Sequence, residues 1–483
     1  MTVRVGRALP PPSGRAPVMN IAPRDVDGLD DTLTRYHQLF VDCFARREQR
    51  HWALKYSQGL MLDLPRKSIE PMAAALAGGN IQAMQQFISE GAWSDNAVLT
   101  IRRREVAQTL GQSDGVLIID GCDFPKQGDA SVGVARQYCG PLGKLANCQA
   151  SVVLAYATEA GATLVDRRLF LPEAWFEASH RDRWQKCGIP DDVTFKTKPE
   201  LAAELFQTVV TEGVLPFVWV TMDEGYGAAG YLLDAIHQQN KRFLAEIPRN
   251  KQAWRQRPKV VPPQASGATG RPPTRMQLAP GTQSAQRVDA LALALRPADW
   301  QHFIIHEGSK GPLHVEIATV RVAMAEDGLP GRDEWLVLRR PVGVTDIKQW
   351  KFYRSNAPAG TSPKTLARLT AWRWPVERVI EECKDELGLD HYEVRGWIGW
   401  HHHTTMTLLA HSFLVRVRVQ MGTQAPALTV SQARRLLQVV LPKREYDAQA
   451  ALVEIERIQR QNHAAYRSHK KRRRRASKSS PPN

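Results

Sequence analysis

Between residues 28 and 110, apolar positions recur at spacings of three and four. Leu29, Leu33, Tyr36 and Phe40 open the pattern. Leu60, Met61 and Leu62, then Ile69 and Met72, then Met84 and Phe87 continue it. That spacing lays one apolar stripe on each of several short amphipathic helices. Near residue 115 the period changes. Val116–Ile119 is a short apolar run closed by Asp120 and Gly121, which reads as a buried strand exposing an acid at its carboxyl end. Ser131–Ala135 and Gln149–Ala155 have strand-like β-branched content, and Gly140, Pro141 and Gly143 form a turn between them. Together these predict a three-stranded meander. Residues 198–211 read as a helix, and Pro216–Met222 forms a second apolar run, closed by Asp223.

Further along, residues 252–287 hold six prolines (Pro258, Pro262, Pro263, Pro272, Pro273 and Pro280) and predict a poorly structured loop. Val315–Val322 and Trp335–Arg339 follow as strands. Residues 372–387 read as a helix with Pro375 in its first turn and Gly388 past its end. Leu408–Val419 is apolar, with a core helix expected around His411. The pattern predicts an α/β chain in seven parts: a flexible arm over 1–27, a helical domain over 28–110, and a catalytic-looking α/β domain over 111–244 and 356–425. That domain is interrupted by a partly β insertion over 245–355. A helical segment over 426–466 and a basic tail over 467–483 complete the chain. The tail has no apolar face and is expected to be disordered.

Composition adds a direction. The chain has 483 residues, 65 Lys plus Arg against 49 Asp plus Glu, and a net charge of +16. Hydrophobic residues make up 43%, which excludes wholesale disorder. A single core stops growing at about 250–300 residues, so two or three folded units are expected. The basic surplus favours a polyanionic partner, either nucleic acid or an anionic membrane surface. Arg102, Arg103 and Arg104 then read as a solvated basic face or as the DNA-contacting side of the helical domain. Six cysteines without a CxxC pair argue against a disulfide scaffold and a structural zinc site. The start lacks the apolar segment of a secretory signal. No run of apolar residues is long enough to span a bilayer: Thr407–Val419 is too short and contains His411, Arg416 and Arg418. A cytosolic protein with no membrane partner is expected.

Three acids stand out: Asp120 and Asp223 after apolar strands, and Glu377 on a helix. Arg373, Glu377, Glu381 and Lys384 share one helical face. Phosphodiester cleavage is served by two hard cations held by carboxylates. A glycoside hydrolase also pairs carboxylates, but it leaves the basic tail without a role.

The strings around these acids are long and specific. Asp120 lies in IIDGCDFPKQGDASVGVARQYCGPLGKLANCQA, Asp223 in VWVTMDEGYG, and Glu377 in WRWPVERVIEECKDELGLDHYEVRGWIGWHHHTTMTLLAHSFL. In that order they resemble the signature blocks of DDE-type transposases of bacterial insertion sequences, in the IS701-like branch of the wider IS4 group. VDRRLFLP (165–172) and GSKGPL (308–313) are similar to that family too. The resemblance implies an RNase H-like catalytic domain with a mainly β insertion, and the periodicity already places a helical N-terminal domain before it. It implies Asp120, Asp223 and Glu377 as catalytic and metal-binding residues for Mg²⁺, with Mn²⁺ as a substitute. The wider group carries a tyrosine–arginine–glutamate–lysine signature. Arg373, Glu377 and Lys384 match its last three positions, whereas Thr370 stands at the tyrosine position.

Lys126, Arg136, Arg373 and Lys384 are candidate phosphate contacts. Trp372, Trp374 and Trp400 are candidates for base stacking, or for core. Lys470, Lys471, Arg472, Arg473, Arg474 and Arg475 are expected to add nonspecific DNA affinity. Asp123 is expected on the turn after Asp120, either solvated or behind the metal. His401, His402 and His403 are read as polar groups at a helix start near DNA or solvent, not as ligands. Cys122 has no histidine partner at local spacing and is not read as a nucleophile. The implied partners are double-stranded DNA (terminal inverted repeats and target) and a second copy in a homodimeric synaptic complex. The implied location is the bacterial cytoplasm, associated with the nucleoid. A catalytically inactive or domesticated DNA-binding relative is the alternative, and the presence of all three acids counts against it.

Overall fold

The computed structural model describes residues 19–263, 275–308, 311–445 and 447–478. Most of the predicted N-terminal arm, the middle of the Pro-rich loop, Lys310 and the last five residues lie outside the described residues, as do the side chains of Arg472–Arg475.

Six helices precede the first strand: α1 (Pro23–Asp27), α2 (Leu29–Gln38), α3 (Arg47–Met61), α4 (Ile69–Ala75), α5 (Ile81–Ser89) and α6 (Asp95–Leu110). Leu29, Leu33, Tyr36, Phe40, Leu60, Met72, Met84 and Phe87 are all buried, as their spacing predicts. They share one hydrophobic cluster with the central sheet, so this region is packed onto the catalytic body. The basic run in α6 is a solvated face only at Arg104, which is exposed. Arg102 and Arg103 are buried: Arg102 donates to the carbonyls of Leu408 and Leu164, and Arg103 pairs with Asp166 and Glu212. Both guanidiniums have replaced water by fixed acceptors, without which such burial would be costly.

The strands are β1 (Val116–Pro125), β2 (Ala135–Cys139), β3 (Lys144–Thr158), β4 (Gly161–Phe170), β5 (Trp219–Met222) and β6 (Arg242–Glu246). Then come β7 (Gln252–Trp254), β8 (Val260–Val261), β9 (Gln277–Leu278), β10 (Gln286–Arg287), β11 (Gln301–Gly308), β12 (Gly311–Glu326), β13 (Leu329–Pro341) and β14 (Lys351–Ser355). Among the described residues, 12 of them form one sheet in the order β10-β7-β12-β13-β14-β6-β5-β1-β3-β2, with β11 on β12 and β4 on β3. β1, β5 and β6 run parallel and the other pairs antiparallel. Of the predicted meander, Val116–Ile119 and Gln149–Ala155 lie in β1 and β3, the middle strand falls later than expected as β2, and β4 on the other part of β3 was not predicted. Ser131–Val134 is not a strand, because Gly133 takes φ +69 and a side chain there would meet the Phe170 carbonyl at 2.9 Å.

The insertion is not set apart from the core sheet. β14 pairs with β6, so β12, β13 and β14 extend that sheet, and a second, smaller cluster around Ala318, Met324, Leu336, Trp350 and Phe352 lies at its far end. β8 and β9 show that the ends of the Pro-rich stretch are paired.

After β4 the chain forms α7 (Arg181–Cys187) and α8 (Lys198–Glu212); α9 (Glu224–Gly227) and α10 (Gly230–Gln238) follow β5, and α11 (Val288–Leu293) follows β10. The end signals of α8 are local: Thr197 and Glu200 cap each other at the start, and Gly213 closes the helix at φ +63. Beyond β14 come α12 (Pro363–Leu369), α13 (Trp374–Glu381), α14 (Trp397–Gln420), α15 (Val430–Val440) and α16 (Ala448–Lys478). No helix among the described residues is long and apolar enough to cross a membrane.

α14 threads between the N-terminal helices and β4, and is buried on nearly all sides. His402 and His403 are therefore core residues, not groups near solvent. His402 stacks on Trp93 with ring centroids 3.6 Å apart, and His403 Nδ1 lies 2.8 Å from the Tyr56 hydroxyl. The basic run was expected to be disordered, but the backbone is helical through Lys478. It prolongs a helix already begun at Ala448, which is easier than nucleating a new one.

Candidate active site

β1 and β5 are parallel neighbours with Ile119 opposite Met222. The next residue after each is an acid, so Asp120 and Asp223 are brought close enough for the Asp223 charge to be felt by Asp120. β5 ends at Met222, and Asp223 caps α9 by accepting from the Tyr226 amide at 3.3 Å. Here the sequence reading of an acid at a strand end holds. For Asp120 it does not, because β1 runs on through Pro125 and the carboxylate projects from mid-strand. Asp123 is likewise within β1 rather than on a turn. Its Oδ2 accepts from the Gly140 amide at 2.9 Å, which ties the turn after β2 onto β1.

Glu377 comes from α13, whose first turn contains Pro375 as predicted. The helix does not continue regularly to residue 387. Glu382–Glu386 is a π-helical turn, and Gly388 leaves it at φ +67. From that turn Glu382 reaches His411 at 3.0 Å and Lys384 donates to the Asp123 carbonyl at 2.8 Å, which fastens α13 to α14 and to β1.

Arg373, just before α13, joins the acids. It donates to Glu377 at 2.7 Å and to Asp120 at 3.5 Å. The Asp120 carboxyl is pushed up to about 6: burial raises it most, Arg373 opposes, and repulsion from Asp223 and Glu377 adds to the rise. Against burial, the negative charges of Asp120, Glu377, Glu246 and Asp223 hold the Arg373 guanidinium above its usual value. The row of acids continues beyond the predicted three. Met222 pairs with Ala245 in β6, so Glu246 stands beside Asp223, and Tyr353 of β14 pairs with Glu246. Glu246 is buried and ion-paired to Lys351. Nothing in the sequence pattern singles out Glu246; only the sheet register does.

The hard oxygen donors of Asp120, Asp223 and Glu377 suit a divalent cation of the Mg²⁺ type. With Arg373 between two of them, no three such side chains among the described residues are gathered around a common point. The guanidinium occupies Asp120 Oδ2 and Glu377 Oε1, two of the oxygens a cation would use.

The other candidates are dispersed. Lys126 is folded over the Tyr392 ring, 3.6 Å from its centroid, where burial lowers its ammonium to about 8. Arg136 is exposed on β2. Trp400 is 1% exposed and belongs to the core, so it presents no face for a base. Trp372 is partly buried, whereas Trp374 is 38% exposed beside Arg378. Thr370 is buried and donates to the Ala367 carbonyl.

Comparisons with known proteins identify the family. The family described as DDE superfamily endonuclease matches residues 39–312, a span that includes Asp120 and Asp223 and ends before Glu377. A probable transposase for insertion sequence element IS701 from Microchaete diplosiphon is 28% identical over 224 residues, which is 46% of this chain and 54% of that protein. The chain thus spans about half the length of this curated relative.

Proposed function

Because the chain belongs to the DDE superfamily of endonucleases, we propose that it is an insertion-sequence transposase, which binds the terminal repeats of its element, cleaves them and transfers strands to target DNA. The observation that carries this reading is that Asp120 and Asp223 each follow the register pair Ile119 and Met222 of neighbouring parallel strands, with Asp120 joined to Glu377 through Arg373. An RNase H-like core, which the superfamily implies, supports it: an antiparallel meander, β4-β3-β1, followed by the parallel β5 and β6.

Asp120, Asp223 and Glu377 would hold Mg²⁺ or Mn²⁺, which when bound activates the attacking oxygen and stabilises the leaving one. The chain supplies the rest. Arg373 is placed to take a phosphate oxygen once released from the carboxylates. Lys384 holds β1 against the π turn and so fixes the distance between Asp120 and Glu377. Trp374 offers an exposed ring for a displaced base. Cleavage is an attack of water on one phosphodiester; strand transfer is an attack of the freed 3′-hydroxyl on another. Both are in-line displacements and can use one site. Lys126, Arg136 and the basic end of α16 complete the DNA contacts, and pairing of two ends calls for a homodimer in the nucleoid of a bacterial cytoplasm. The family match counts against the glycoside-hydrolase alternative.

The test uses purified full-length protein, labelled terminal-repeat DNA and Mg²⁺. End-specific nicking is expected, and Asp120→Asn or Glu377→Gln should abolish it while DNA binding survives. Binding without nicking by the unmodified protein would overturn the reading in favour of an inactive DNA-binding relative.

A further inference from the structure

Arg373 has two bonded carboxylates, Asp120 and Glu377, and both belong to the set proposed to hold cations. A cation that takes the Asp120 Oδ2 and Glu377 Oε1 atoms that Arg373 now holds displaces the guanidinium, and the displaced group needs another acceptor nearby, because losing both partners in a partly closed site is costly. The sheet supplies one. Ile119, Met222 and Ala245 are in register across β1, β5 and β6, and each is followed by an acid, so Asp120, Asp223 and Glu246 follow one another across the ends of that register, where the charges of all three act on Arg373. Glu246 is the member of that row not assigned to the cations. Its carboxylate is buried, and its ion-pair partner Lys351 is half-exposed, able to turn to water. Tyr353, opposite Glu246 on β14, closes the far side of the row.

We propose that Glu246 is a positioning residue of this centre: it receives Arg373 when a divalent cation takes Asp120 and Glu377, and keeps the guanidinium beside the carboxylates for a DNA phosphate. This rests on the function proposed above. It goes beyond that function in making cation loading depend on a fourth carboxylate that need not touch the cation.

The test is a thermodynamic cycle on the full-length protein without DNA, with Mn²⁺ binding followed by calorimetry and paramagnetic relaxation. Glu246→Gln should weaken Mn²⁺ binding by about fivefold or more, the lower end of ordinary coupling between sites. Arg373→Gln should tighten it, because the competitor is gone. In the double variant the Glu246→Gln effect should vanish, leaving the affinity of Arg373→Gln alone. Glu246→Asp, which keeps the charge and withdraws the carboxylate, should fall between wild type and Glu246→Gln; it also serves if the Gln variant does not fold. An equal loss from Glu246→Gln with and without Arg373 would mean that Glu246 acts on the cation directly, and would overturn the proposal. Wild-type protein that binds Mn²⁺ and nicks terminal-repeat DNA, while both Glu246 variants bind Mn²⁺ like wild type, overturns this inference alone. Wild-type protein that does neither overturns the proposed function along with it.

Discussion

His402 provides a sharp test of how the centre of the molecule is held together. Its ring is 3% exposed and stacked on Trp93. Nδ1 lies 3.0 Å from the Ile88 carbonyl and Nε2 lies 3.1 Å from the Trp93 carbonyl. Burial lowers the imidazole to about 4; Asp95 and the two carbonyls oppose, and Arg167 adds to the fall. An unfolded histidine titrates near 6.5. Between these values the unfolded chain binds the proton and the folded one does not. Stability is therefore complete above about pH 6.5, falls as pH drops below it, and levels off near the folded value. At about pH 5 the loss from this one group is about 2 kcal/mol. Urea unfolding of wild type and His402→Gln at about pH 7.5 and about pH 5 isolates it, since other titrating groups cancel in the comparison. The variant should lose about 2 kcal/mol less than wild type over that interval. An equal loss in both proteins would refute the reasoning. It would mean that the native ring is a charged imidazolium donating to both carbonyls.

Three further outcomes are expected. Gly227→Ala places a methyl 2.0 Å from the Glu246 carbonyl, an atom held in β6, so it should cost about 1–3 kcal/mol and impair nicking by shifting the Asp223 turn; an unchanged thermal melt would refute this. Trp400→Ala should destabilise the fold by about 3–5 kcal/mol, whereas Trp374→Ala should leave the melt within about 0.5 kcal/mol and weaken cleavage; the reverse ranking would show the stacking assignment to be wrong. Deleting residues 467–483 should flatten the salt dependence of nonspecific DNA binding, as measured by filter binding from low to high salt, and an unchanged slope would remove the basic run from that role.

Periodicity locates elements wherever one face of a segment meets the core. That is why Leu29 to Phe40, Val116–Ile119 and the Pro375-started helix are legible in the chain itself. It is also why Asp223 and Glu377 could be placed on a strand end and a helix. Periodicity is silent on which polar residue is enclosed by two layers at once. Arg102 and Arg103 look like a solvated stripe, yet the acceptors that let them be buried, Asp166 and Leu408, come from β4 and α14. His402 and His403 depend in the same way on Trp93 and Tyr56. Glu246 could be seen only through register, because its neighbour Asp223 follows another strand, β5, far away in sequence. The end of β1 was misplaced for a different reason: Gly121 resembles a turn residue but lies within the ladder, opposite Val152.

The pairing of β6 with β14 bears on how this architecture can be taken apart. In a core of five strands, β6 would be an outermost strand with a row of free amides and carbonyls, an invitation to stick to other chains. The inserted segment caps that border. Excising it at residues 247–350 to obtain a minimal catalytic fragment would strip β13 from β14 and leave β6 covered only by the short β14, now itself an open border, so the smallest soluble piece should keep the insertion whole. What looks like an accessory module also serves as a guard against aggregation.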